Sequence, residues 1–546
     1  MNLGLPLTAW ELNHAVLRLT PQRSGLPARQ KSVENISVSD LVDLSDLAAE
    51  EPTGLAFEPG SKKDKSSRFW RAVWRVHFYA GMAVLPFLVI LAVTGTAVLY
   101  KDIINNAFES DILTVVPSGT PATLENQVAA VTEEYPEYSI GGVTPPATAE
   151  RSTMVAVSKS EDETLQVYVD PYTSKVLGAK VAGQDFPSTM ERVHGYLLMG
   201  WTVPVPTLAG ITGQADTVFS EIAFGDLLVE LMAGWGVVLI VSGLYLWWPR
   251  KRESGKALFK PRLNKKGRAF WRDLHAIPGA LFSLVLLFLI VTGMPWSGFW
   301  GGNWDHVITR AEQGYNFPDT PPSEPVKVGD LDRFGNPIPW ATQSEIVPAS
   351  AAPATEPATA QQVGLDAVAK VAQEEGMLSG YSISLPEDLE AEDGGVSFGV
   401  YSLGNPWPAA AVDERTVFVD QFTGETVSEY GMGDNGVLAE VTSIGIDTHM
   451  GTQFGLVNRI IMTIACVGVV WGAFSGLMMW WKRRPKKSAG LPRRPTDVHL
   501  QRGMIILAVV IGVIFPLVGI SMLLILALDK FVIRKIPRLR KTFGMR

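Results

Sequence analysis

Cysteine is nearly absent: Cys466 is the single one in 546 residues. That excludes an intrachain disulfide, a Cys-ligated iron–sulfur cluster and the Cys-x-x-Cys-His attachment of a covalently bound haem. No glycine-rich phosphate loop or dinucleotide fingerprint occurs, and His-Glu-x-x-His is missing, which argues against nucleotide-binding enzymes and zinc proteases of that class. The apolar runs hold no acid at their middles; Asp226 and Glu230 fall near one end of the second run, and Asp273 near the start of the third. Residues 1–65 contain no apolar stretch of the kind a cleaved signal peptide needs. The first apolar run therefore reads as an uncleaved anchor.

The chain is 47% hydrophobic and 19% charged, but its apolar residues are gathered into five runs. Each is long enough for a hydrocarbon core of about 30 Å. The formal net charge of −8 averages over unlike parts, and no nucleic-acid partner is expected. Basic clusters precede the first run (Lys62, Lys63, Lys65, Arg68, Arg71, Arg75), separate the second from the third (Arg250 to Arg268) and follow the fourth (Lys482 to Arg494). The positive-inside rule puts these in the cytoplasm. The expected order is a mostly disordered cytoplasmic leader (1–68), a span (69–100), an extracytoplasmic α+β domain (101–225), a span (226–248), a basic loop (249–270), a span (271–300), a second extracytoplasmic domain (301–455), a span (456–481), a basic loop (482–502), the run 503–528 and a basic tail (529–546). The run 503–528 has basic residues on both flanks. It reads either as one span or as a re-entrant hairpin turning at Phe515-Pro516-Leu517-Val518-Gly519.

The pattern occurs twice. Aligning His77 with His275, an offset of 275 − 77 = 198, brings Gly81 onto Gly279, Thr94 onto Thr292 and Gly95 onto Gly293. At about 100° per residue, each histidine and its two glycines share one helix stripe. The second and fourth runs end Ser242-Gly243…Trp247-Trp248 and Ser475-Gly476…Trp480-Trp481, and His194 and His449 precede them. The external segments match as well: Val169-Asp170-Pro171-Tyr172-Thr173 pairs with Val419-Asp420-Gln421-Phe422-Thr423, each suggesting a turn between strands. Both copies start and end on the same side. They read as parallel repeats related by an axis along the membrane normal, with His77 and His275 near the cytoplasmic face and His194 and His449 near the outer face.

Two histidine pairs at two depths suit a cytochrome with two haem b groups, because imidazole is a standard axial ligand to haem iron. His77 and His275 are expected to ligate the inner haem, and His194 and His449 the outer one. Gly81, Gly279, Gly95 and Gly293 are expected to make room for porphyrin edges, and Arg75 and Arg272 to balance propionate charge. The plainer reading is that the histidines are interfacial anchors and the glycines a small-residue packing stripe. Between His194 and its helix lies an extra segment, Trp201 to Phe219, which must fold back for that histidine to reach the membrane. His499 is a spare ligand candidate; His14 and His306 read as surface residues.

The Arg/Trp-x-x-His…Thr-Gly helices, the Ser-Gly-Leu…Trp-Trp helices and the repeated Val-Asp-x-x-Thr segments together resemble the PepSY-associated transmembrane family of iron-regulated membrane proteins, over roughly residues 70–530. The resemblance implies a polytopic α-helical membrane protein with two small extracytoplasmic PepSY-like domains. It also implies a multi-pass location in a bacterial-type inner membrane with a cytoplasmic N-terminus. The family includes inner-membrane haem proteins implicated in reducing ferric siderophores outside the cytoplasm, so the resemblance implies a membrane ferric-chelate oxidoreductase that takes electrons from a quinol or another membrane donor. The alternatives are a non-enzymatic PepSY regulator of an external protein, and a transporter for iron, haem or a siderophore.

Overall fold

Apolar helices and one polar sheet divide the chain between two environments. The computed structural model describes residues 62–542 except 161–162, 214–216, 249–260, 263–266, 315–321, 330, 332–337, 341–345, 354–360, 391–395 and 485–501. The leader up to residue 61, His14, His499 and most of both basic loops therefore lie outside the described residues.

Five helices are long and apolar enough to cross a membrane. Four of them, α1 (Lys62–Leu99), α4 (Phe224–Trp247), α5 (Arg268–Gly293) and α9 (Gly455–Arg483), close into a ring in which α1 and α5 each pack against α4 and α9. The helices α1 and α5 are thus diagonal partners across the bundle. The fifth apolar run is not one straight helix. It breaks at Phe515 into α10 (Arg502–Ile514) and α11 (Pro516–Leu528), because proline cannot continue the hydrogen-bond ladder. The two halves fold back on each other: a Cβ added at Gly519 would lie 2.7 Å from the Gly512 carbonyl oxygen. This hairpin docks on α4, where Trp235 Nε1 donates to Ser521 Oγ at 3.0 Å. Trp300, on α6 (Gly298–Arg310), donates to the Ile514 carbonyl at the break, 2.8 Å away.

The segments between the first and second and between the third and fourth apolar helices build an eight-stranded antiparallel sheet. Its order is β10-β9-β8-β7-β1-β2-β3-β4, with β1 (Ser139–Thr144), β2 (Thr153–Ser160), β3 (Glu163–Val169) and β4 (Val176–Val181) from the first segment and β7 (Ser382–Ser384), β8 (Val400–Gly404), β9 (Arg415–Asp420) and β10 (Thr426–Gly431) from the second. The joint is β1 against β7, with Gly142 opposite Ser384 and Val143 opposite Ile383. Helices α2 (Leu124–Glu134) and α7 (Leu365–Glu374) pack together, and Leu124, Val131, Leu365 and Val368 share one core with Val143, Val155, Ile383 and Val417. They also cap each other: Leu124 N donates to Asp366 Oδ1 (2.8 Å) and Asp366 N to Glu125 Oε1 (3.0 Å). A free helix N-terminus leaves donors unsatisfied, so each helix supplies what the other lacks. The Val-Asp-x-x-Thr turns form as expected, with Asp170 Oδ1 accepting from Tyr172 N and Asp420 Oδ1 from Phe422 N, both at 2.8 Å.

Two short helices hang from the sheet toward the bundle. Helix α3 (Phe186–Tyr196) follows β4 and is capped by Asp185, whose Oδ1 accepts from Ser188 N at 2.8 Å. Helix α8 (Val437–Met450) follows β10. After α3 the extra segment makes a closed excursion: β5 (Thr202–Pro206) pairs with β6 (Phe219–Ala223), and Phe224 N returns to Trp201 O at 2.9 Å. The end of α3 is then pressed on the start of α4. A Cβ at Gly225 would lie 1.8 Å from the Tyr196 carbonyl oxygen. Gly225→Ala must therefore separate α3 from α4, at a cost of about 1–3 kcal/mol for an overpacked contact. The expected result is a lower thermal unfolding midpoint in detergent; an unchanged midpoint would show that the contact is dispensable.

Candidate functional site

Each of the four histidines docks on a hydroxyl–glycine step of a neighbouring helix. His77 Nδ1 lies 2.9 Å from Ser242 Oγ, and His275 Nδ1 lies 3.1 Å from both Ser475 Oγ and the Gly472 carbonyl. His194 Nδ1 is 3.1 Å from Thr94 Oγ1, and His449 Nδ1 is 3.1 Å from Thr292 Oγ1. The residue after each hydroxyl is glycine. A Cβ there would come within 3.2 Å of the His77 ring at Gly243, 3.4 Å of His275 at Gly476, 3.0 Å of His194 at Gly95 and 3.2 Å of His449 at Gly293.

The hydroxyls fix the tautomer. Thr94, Thr292 and Ser242 donate their own protons to the carbonyls of Ile90 (2.8 Å), Phe288 (2.8 Å) and Val238 (2.6 Å), and Ser475 to Gly472 (3.1 Å). An oxygen whose proton is already committed can only accept, so each Nδ1 is the donor and Nε2 carries the lone pair. A hydrogen bond of this kind holds an imidazole in one orientation and raises the basicity of its free nitrogen.

The rings meet in pairs. His77 and His275 have centroids 6.4 Å apart with planes at 73°, and His194 and His449 have centroids 6.3 Å apart at 84°. The helices that carry them are the diagonal α1 and α5 for the first pair, and the hanging α3 and α8 for the second. On α1, His77 and Gly95 are 18 residues apart (95 − 77), as are His275 and Gly293 on α5 (293 − 275). At about 1.5 Å per residue the two pairs stand about 27 Å apart along the bundle.

The chain belongs to the PepSY-associated TM family. The family described as the PepSY-associated TM region matches residues 74–483, a stretch that holds all four docked histidines and their hydroxyl–glycine steps. No curated protein matches the chain. The PepSY-associated protein is a membrane protein, with the apolar helices and sheet described above.

Other expected site residues sit differently. An added Cβ at Gly81 would meet only Leu239, at 3.7 Å, and Gly279 faces open space, whereas Gly95 and Gly293 admit imidazole rings. Arg272 pairs with Asp273 at 2.9 Å, and Arg262 joins the same carboxylate at 2.7 Å. Arg75 lies over the Tyr79 ring, 5.2 Å from its centroid. His306 Nε2 is 3.4 Å from Thr212 Oγ1, away from both pairs. The partners that sequence reasoning left unassigned are Thr94, Thr292, Ser242, Gly243, Ser475 and Gly476. The signal was present: Thr94-Gly95, Ser242-Gly243, Thr292-Gly293 and Ser475-Gly476 are one motif written four times.

A buried acidic pair lies beside His449 and its ring partner His194. Asp447, two residues before His449, is 0% exposed, and Glu414 is 8% exposed. Burial, and the Asp447 charge beside it, push the Glu414 carboxyl up to about 9. Burial pushes Asp447 up to about 7. A carboxyl whose folded pKa exceeds its unfolded value stabilises the fold fully below the unfolded pKa, and that contribution disappears as pH rises through the folded one. Thermal stability is therefore expected to decline from about pH 4.5, the ordinary Glu value, to about pH 9. Glu414→Gln should flatten that decline; an equally steep profile in the variant would assign the pH dependence elsewhere.

Proposed function

We propose that this protein is a two-haem transmembrane electron carrier that reduces ferric chelates on the outer side of the membrane. The observation that carries the reading is the pair of imidazole–imidazole spacings. Two imidazole–metal bonds of about 2.0 Å, plus about 1.1 Å from each nitrogen to its ring centre, give about 6.2 Å between centroids. The observed values are 6.4 and 6.3 Å. An ordinary edge-to-face ring contact covers the same range, and the hydrogen bonds add support that the spacing alone does not give. All four Nδ1 atoms are engaged, which leaves Nε2 as the atom that would hold a metal at both depths.

Each pair offers only two ligands. Among the described residues no group of three or more His, Cys, Asp or Glu side chains could hold a bare metal ion. A metal held by either pair would have to bring its remaining ligands with it, as a porphyrin iron does. The single cysteine excludes covalent Cys-x-x-Cys-His attachment, which points to haem b. A haem bound at each pair supplies one-electron redox chemistry. The chain's part is to hold His77 and His275 across the diagonal of the bundle, to hang His194 and His449 from the sheet, and to fix every tautomer through a hydroxyl.

The reading includes the parallel duplication and the PepSY-like character of the external segments. It is supported by the matched docking of His77 on Ser242 and of His275 on Ser475. With the basic flanks inside, His194 and His449 face the outer compartment of a bacterial-type inner membrane. Electrons come from a quinol or another membrane donor, and the acceptor is a ferric chelate. Reduction loosens hard-oxygen chelation, because iron(II) is softer and less charged than iron(III).

Detergent-purified protein, made with ample haem supply, should show reduced b-type bands and two haems per chain by pyridine haemochrome. His275→Ala should leave one. A colourless wild-type protein would sink the proposal. Thr94→Val should keep haem but raise the outer midpoint potential, because an imidazole that loses its Nδ1 acceptor is a weaker donor to iron(III). Thr94→Ser should restore the potential; an unshifted potential in Thr94→Val would remove the hydroxyl from the ligand shell.

A further inference from the structure

Two arginines beside the outer histidine pair have buried donors with nothing to bind. Arg192 is on α3, two residues before His194, and its Nε is buried without a hydrogen-bond partner. Only its Nη2 reaches a neighbour, Thr189 Oγ1, at 3.4 Å. Arg459 stands near the start of α9, where Asn458 Nδ2 donates to the Thr448 carbonyl at 2.9 Å. A Cβ on Gly451, two residues after His449, would lie 3.2 Å from Arg459 Cα. The Arg459 Nε is also buried and without a partner, and its guanidinium stands 5.8 Å from the centroid of the Tyr100 ring.

None of the ion pairs among the described residues includes either arginine. A guanidinium cannot shed its charge. Burying its donors without an anion is costly, and more so at the edge of a hydrocarbon phase. Two such groups, one beside each histidine of the pair, call for a dianionic ligand in the same place. Arginine is suited to that task, since its planar fork matches a carboxylate in two parallel hydrogen bonds. The inner end of the bundle differs, because there Arg272 and Arg262 are already joined to Asp273.

We propose that Arg192 and Arg459 bind the two propionate carboxylates of the haem held by His194 and His449. The inference rests on the haem reading given above. It also assigns these arginines an electrostatic effect. Positive charge beside an iron centre disfavours the more positive ferric state, so both residues hold the outer midpoint potential up.

The test uses the full chain in detergent in a His275→Ala background, which keeps only the outer pair. Potentiometric titration followed by visible absorbance gives the midpoint potential, and transfer to apomyoglobin gives the rate of haem loss. Arg192→Gln/Arg459→Gln should lower the potential. It should also speed haem loss by about tenfold for each 1.4 kcal/mol of binding removed. Arg192→Lys/Arg459→Lys, which keeps the charge, should hold the potential near the parent value. If the double Gln variant is recovered unfolded, Arg459→Gln alone carries the same comparison. Unchanged potential and unchanged haem loss in the Gln variants would overturn the assignment of the arginines and leave the haem reading intact. Wild-type protein without haem would instead overturn the haem reading, and this inference with it.

Discussion

A hydroxyl that has given its proton to its own helix backbone can only accept, and four such hydroxyls set the geometry of this bundle. Ser242, Ser475, Thr94 and Thr292 each spend a proton on a carbonyl of their own helix and take one from a histidine of another element. In a low-dielectric interior an unsatisfied imidazole N–H is costly, while a satisfied one adds about 1 kcal/mol net. The arrangement matters more for specificity than for strength. Each ring must lie against the glycine next to its hydroxyl, so register, crossing and depth are fixed together. Helix α1 uses both ends of this device: it sends His77 to α4 and receives His194 from α3. Helix α5 does the same, sending His275 to α9 and receiving His449 from α8.

The sheet matters to the site through that second exchange. His194 and His449 are not on the spanning helices but on α3 and α8, which follow β4 and β10 in the chain. Those strands are its two edges, and the strands between them run without a break through the β1–β7 joint. The reciprocal caps between α2 and α7 lock the same joint from the helix side. A slip of one residue at that joint would move each strand's inward residues to the other face and displace one hanging helix relative to the other. The ring spacing at the outer pair is therefore held by contacts made within the polar domain.

Much of this was legible in the chain. The 198-residue offset brought His77 and His275 into register, and the Val-Asp-x-x-Thr turns marked the strand ends. Proline at 516 signalled the break in the fifth run. Other features were hidden for physical reasons. Helix periodicity put Gly81 and Gly279 on the histidine stripe, but a stripe does not say what lies opposite, and neither glycine receives a ring. Arg272 was expected to balance propionate charge; its ion pair with Asp273, although adjacent in sequence, depends on the side chains turning toward each other. The joining of both external segments into one sheet rests on two paired positions between β1 and β7, a non-local pairing without local signal. Arg192 and Arg459 stand out only in three dimensions, because a buried donor with no acceptor has no sequence pattern.

Charge alone left the course of the fifth apolar run open, and in the structure that run folds as a helical hairpin of α10 and α11. One straight span would put one basic flank at each end of the bundle. In the structure the break at Ile514–Phe515 bonds to Trp300, a few residues beyond Gly293 and so at the end that holds His449. From there α11 runs along α4, with Val518 against Gly234 and Ser521 against Trp235. Both legs therefore descend from the turn toward the end that holds His77. The first leg has 13 residues, about 20 Å of helix, which is short of a hydrocarbon core of about 30 Å, whereas the second, continued to Ile533, is long enough to cross. The π-helical turn Asp529–Ile533 extends the second leg. Arg502 and the basic tail then share one end of the bundle, as the charge pattern demands. The closure of the α4 surface by this hairpin leaves the diagonal between α1 and α5 as the place where two histidines can face each other.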